Sequence, residues 1–119
     1  MIPAENVRDW RGRPVVDHDG ARIGDLEAVY VDTTDDEPAY ATVKVGGLFA
    51  RSRLAFVPLA GAVVTPDHLK VAFSRQLVRD APTIDPDGEL LAEDEPAVFH
   101  HYGAEYATGA RGERRLARR

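Results

Sequence analysis

The sequence predicts a mainly β protein, a small β-barrel of about five or six short strands with a short C-terminal helix and extension. Three observations carry that expectation. The run Val15–Asp32, VVDHDGARIGDLEAVYVD, breaks two β-prone stretches at Asp19-Gly20, a pair that tolerates the positive φ of a tight hairpin turn. Its second arm, Arg22 to Asp32, is longer than an ordinary strand and carries Gly24 near its start, where a bulge or bend fits. Further along, Ala39 to Val45 alternates, with Ala39, Ala41, Val43 and Val45 on one face and Tyr40, Thr42 and Lys44 on the other.

The remaining elements follow in order. Residues 1–9 form an irregular lead-in, and the barrel spans 10–82, starting at Trp10, the only tryptophan. Trp10 is expected to plug the core or a barrel end, because large aromatic rings gain most from burial. After the hairpin, Thr33 to Pro38 concentrates turn formers, and Gly46-Gly47 ends the alternating strand. Leu48 to Arg53 reads as a connection, Leu54 to Val57 as a short strand stopped by Pro58, and Ala62–Thr65 and Leu69–Phe73 as two strands about Pro66-Asp67. Ser74 caps one helical turn through Leu77. Residues 83–103 form an extension whose helix has Glu93, Asp94 and Glu95 near its start, Pro96 in its first turn and Gly103 as its stop. Phe99 and Tyr102, three apart, dock that helix on the barrel as a latch. Residues 104–119 are expected to be a basic, mobile, disordered end.

Composition narrows the chemistry. A chain of 119 residues has room for one domain. With no cysteine it makes no disulfide, thiolate nucleophile or Cys-ligated metal site. No apolar run nears the roughly 20 residues that span a bilayer, and the start lacks the plan of a secretory signal, so a cytoplasmic location is expected. The net charge of −5 is uneven: the last nine residues carry five arginines against one glutamate, which leaves −9 on the first 110. An acidic body disfavours a phosphate backbone, whereas Arg114, Arg115 and their neighbours form a basic tail able to touch nucleic acid or an acidic partner.

The string Gly12–Asp17, then Asp19-Gly20-Ala21-Arg22-Ile23-Gly24-Asp25-Leu26 and Val29–Asp32, resembles the PRC-barrel domain family. Pro38–Val43, Phe56-Val57-Pro58-Leu59, Asp80-Ala81-Pro82 and the ending Phe99–Gly103 extend the resemblance over roughly residues 10 to 103. It implies a barrel shared with the cytoplasmic domain of the photosynthetic reaction-centre H subunit and the C-terminal domain of the ribosome maturation factor RimM. Those relatives dock to other macromolecules. The family has no shared catalytic residues, so the resemblance implies a non-enzymatic protein without a cofactor.

Candidate chemical sites are few. Asp17-His18-Asp19 sits where adjacent strand residues face opposite sides, which does not build a metal site. Thr83–Gly88 with Asp94 partly mimics a calcium loop but has Thr83 for its first ligand and Asp94 for its bidentate glutamate, so a capped turn is the better reading. His100-His101 lie about 100° apart on a helix and do not chelate. Asp25, Glu27 and Asp32 read as solvated charges guarding a sheet edge. By elimination, the partner-binding candidates are Leu48, Phe49, Arg51 and Arg53, apolar residues beside arginines as contact patches have them, together with Arg114 and Arg115 of the tail. The expected role is an adaptor that binds another protein, including a second copy as a homodimer, through a barrel edge or the 48–53 loop. The alternatives are an RNA- or ribosome-associated factor using the tail and, more weakly, a small-ligand or metal-binding barrel.

Overall fold

A computed structural model of the chain describes residues 9–47 and 50–119. Its strands are β1 (Pro14–Val16), β2 (Arg22–Asp32), β3 (Glu37–Gly47), β4 (Ala50–Pro58), β5 (Val63–Val64), β6 (Leu69–Lys70), β7 (Thr83–Ile84) and β8 (Leu116–Arg118). Two short α-helices, α1 (Arg75–Arg79) and α2 (Glu95–His101), and a 3-10 turn at Ala92–Asp94 accompany them. The strands run in the order β5-β6-β1-β2-β3-β4-β7, and β8 pairs with β2. The sheet curls into a barrel-like shape without closing, a mainly β fold of the kind anticipated.

β2 is the axis of the fold and is bent by its irregular register. Val15 pairs with Gly24 and Val16 with Arg22, so Ile23 is an extra residue on β2. Leu26 and Ala28 then pair with Val43 and Thr42, so Glu27 is a second one. Each bulge adds local twist, and two in one strand let β2 hold β1 and β8 along one edge and β3 along the other. At the far end Asp32 and Glu37 close the β2–β3 hairpin, and Asp36 takes φ 60°.

Two cores lie on opposite faces of this sheet. The first gathers Trp10, Val15, Ile23, Leu26, Val29, Ala41, Val43, Ala55, Val57, Leu69 and Val78 inside the barrel, with Trp10 at 4% exposure as the plug. The second holds Tyr30, Tyr40, Phe56, Leu90, Val98, Phe99 and Leu116. Tyr40 is buried too, because the C-terminal segment covers its face of β3. Tyr40 stacks against Phe99 with ring centroids 5.1 Å apart, and Tyr102 donates a hydrogen bond to the Phe56 carbonyl at 2.5 Å. Burial pushes the Tyr40 hydroxyl up to about 12, with nearby Arg115 pulling the other way. The latch anticipated from Phe99 and Tyr102 is in place, and Gly103, at φ 76°, follows the end of α2.

Three local features differ from the sequence reading. Residues 50–53 belong to β4 and not to a connection, since the strand starts at Ala50. Thr83–Ile84 forms a strand against Ala55 and Leu54, so the sheet continues past residue 82. The end expected to be mobile folds back as β8, with Tyr30, Val31 and Asp32 paired to Arg118, Ala117 and Leu116. The physical reason is that Leu116 is 1% exposed within the second core while the arginines around it find acids on the body.

Candidate interaction surface

Every titratable group singled out in the sequence has a definite place. Asp17 is an acceptor within a turn: its Oδ1 takes hydrogen bonds from the amides of Asp19 and Ala21, and its Oδ2 from the amide of Arg75 at the start of α1. Burial opposes its charge, yet those three amides outweigh that and hold its carboxyl below the usual range. Asp85, the centre of the calcium-like segment, accepts from Arg53 Nη1 at 2.7 Å and lies 3.4 Å from Arg51 Nη2. His101 packs inward with Nε2 2.6 Å from the Leu77 carbonyl, whereas His100 is exposed. Among the described residues, no three His, Asp or Glu side chains converge in a way that would hold a metal ion.

The acids read as solvated guards are ion-paired instead. Asp25 meets Arg22 at 2.5 Å and Glu27 meets Arg11 at 2.7 Å. Asp32 takes both arms of Arg115, through Nε at 3.1 Å and Nη2 at 2.5 Å, and Thr34 adds its amide and hydroxyl. Burial alone would raise the Asp32 carboxyl, but these donors pull it down to about 2. Its folded pKa lies below the unfolded value, so its contribution to stability is complete above about pH 4 and is lost as pH falls towards 2. We expect Asp32→Asn to flatten the acid limb of a pH-stability curve over that window. An unchanged acid limb, measured by urea unfolding from pH 2 to 5, would contradict the pairing.

The tail candidates are likewise engaged within the fold. Arg114 Nε binds Glu95 Oε2 at 2.6 Å and its Nη2 donates to the Leu90 carbonyl. Glu95, at 0% exposure, also accepts from the Tyr106 hydroxyl and the amides of Arg115 and Leu116. Glu95 was read only as an acid near a helix start. The signal that it turns inward lies in its partners, 11 to 21 residues downstream.

The hairpin of β3 and β4 is a different matter. β2 pairs with β3 only as far as Lys44, and β7 pairs with β4 only as far as Leu54. Beyond those points Val45 pairs with Arg53 and Gly47 with Ala50, so the end of the hairpin extends past both flanking strands as a two-stranded ribbon. Arg53 is anchored at its foot by Thr83 Oγ1, the Thr83 carbonyl and Asp85. Arg51 is 78% exposed along its side chain. Leu48 and Phe49, the two apolar candidates, lie outside the described residues. Among the described residues, Val63 and Leu91 are the large apolar side chains left exposed, and no helix is long and apolar enough to cross a membrane.

A comparison with known families finds a match to the PRC-barrel domain over residues 3–90. The match takes in β1 to β7 and α1, and it ends before α2 and β8.

Proposed function

We propose that this chain, which belongs to the PRC-barrel family, is a cytoplasmic, non-catalytic adaptor that binds another protein through the end of its β3–β4 hairpin. The observation that carries this reading is the overhang: a ribbon that extends past both neighbouring strands and carries the exposed Arg51, close in sequence to the apolar Leu48 and Phe49. A two-stranded ribbon standing alone is marginal in water. Here its base is held by Arg53, which supports a presenting role for the tip and not a packing one. Aromatic and arginine side chains dominate the energetics of protein contacts. A second copy of the chain is one such partner.

The RNA-associated reading has less support, since Arg114 and Arg115 are already neutralised by Glu95 and Asp32. Phosphate contacts depend on cations that can exchange their counterions for the backbone. A photo-crosslinking residue placed at position 51, with the same residue at Val63 as control, tests the proposal in cells. Protein adducts formed from position 51, absent from position 63 and lost on substituting Phe49→Ser, are the expected result. RNA adducts, or equal labelling from both positions, would overturn it.

A further inference from the structure

The foot of the same hairpin carries a second feature. A cleft of about 400 Å3 opens where the start of β2, the hairpin and the end of α1 meet, and its lining includes Arg22, Asp25, Lys44, Ser52 and Arg79. Three cations thus face one acid in a protein whose net charge is −5. The register puts Asp25 opposite Lys44, yet the Asp25 carboxylate is held by Arg22 at 2.5 Å. Among the described residues, neither Lys44 nor Arg79 forms an ion pair. Arg79 is steered towards the cleft by a hydrogen bond of 3.4 Å from its Nη2 to the Ile23 carbonyl. The Arg22–Asp25 pair is neutral, so among the described residues the cleft holds an uncompensated charge of two.

We propose that this cleft receives a phosphate monoester on a phosphorylated residue of the protein partner. The inference rests on the hairpin end being the docking surface, and it names the chemistry read beside that surface. A phosphate monoester carries about −1.5 to −2 charges at neutral pH and three strong acceptor oxygens, which matches the two cations, with Ser52 also in the lining. A single carboxylate would leave one of the two cations unpaired. A guanidinium and an ammonium converging from different elements form a point of recognition for a multivalent oxyanion. The acidic remainder of the surface repels an extended phosphate backbone, which favours a single phosphate on a protein over a nucleic acid.

The test uses the full chain labelled with 15N and a set of defined probes: the pentapeptide Ala-Gly-phosphoserine-Gly-Ala, its unphosphorylated and glutamate counterparts, inorganic phosphate and a short single-stranded RNA. The phosphopeptide is expected to shift the amides of Gly24, Lys44 and Arg79 and to bind at least about tenfold more tightly than either counterpart, since a doubly charged oxyanion can pair with both cations at once. Its affinity is expected to fall between pH 7.5 and 5.5, as the second phosphate proton returns near pH 6. Lys44→Ala and Arg79→Ala, both at exposed positions, are expected to weaken binding, with Lys70→Ala as the silent control.

Equal binding of the glutamate peptide, preference for RNA, shifts that map elsewhere, or inorganic phosphate binding as tightly as the peptide would each overturn the proposal. The titration reads the cleft with no natural partner present, so its failure leaves the crosslinking result at position 51 standing. Failure of that crosslink together with success here would instead leave a phosphate site without a hairpin partner.

Discussion

Glu95→Ala will release the C-terminal strand and cost about 3 kcal/mol of stability, the low end of what removing one partner of a buried ion pair costs. The carboxylate is fully buried and accepts from four groups: Tyr106 Oη, Arg114 Nε and the amides of Arg115 and Leu116. Alanine leaves the Leu116 amide without its acceptor in a buried position, and a buried donor left unpaired costs about 1–3 kcal/mol. Arg114 is 37% exposed and regains water, which keeps the total at the lower end. For a chain of this size the loss corresponds to a fall in Tm on the order of 10 °C. Amide exchange should accelerate first at Leu116 and Ala117 and then in Tyr30–Asp32, the residues that β8 covers. Glu95→Gln keeps one acceptor oxygen and should fall between. A Tm unchanged in Glu95→Ala, with β8 amides still protected, would mean that Leu116 packing alone holds the strand.

That strand also marks the limit of what the sequence reveals. β2 and β3 were legible because each spans eleven residues, long enough for Asp19-Gly20, Gly24 and the alternation at Ala39–Val45 to register. β7 and β8 span two and three residues, and no periodicity can be read from so few. The arginines around Leu116 looked like a solvated tail because their partners, Asp32, Asp36 and Glu95, lie 19 to 83 residues away. The burial of Tyr40 has the same origin: it depends on α2, which arrives from a distant part of the chain. The interaction candidates divide along this line. Arg53, Arg114 and Arg115 are tied to acids and at most 39% exposed, whereas Arg51, though 3.4 Å from Asp85, keeps 78% of its side chain exposed.

Gly24→Ala will be the most damaging glycine substitution among the described residues, at about 3 kcal/mol, the upper part of the overpacking range. Its cause is proximity and not backbone angle. A Cβ at Gly24 would land well inside van der Waals contact with the Lys44 carbonyl oxygen and 3.0 Å from Val43 Cγ1. β2 has no room to retreat, because Gly24 pairs with Val15 on its other side. Relief requires β2 and β3 to part where the hairpin leaves the sheet, so the damage should spread from Val43 and Lys44 towards the overhang. Gly103→Ala is the contrasting case: its φ is 76° but an added Cβ meets nothing, and a left-handed alanine costs about 1–2 kcal/mol. Thermal unfolding of the two variants separates the mechanisms. A smaller loss for Gly24→Ala than for Gly103→Ala would show that β2 and β3 yield to the added methyl. In that event the close approach that sets Lys44 at the edge of the cleft is soft, and the geometry of the phosphate site would have to be set by Arg79 instead.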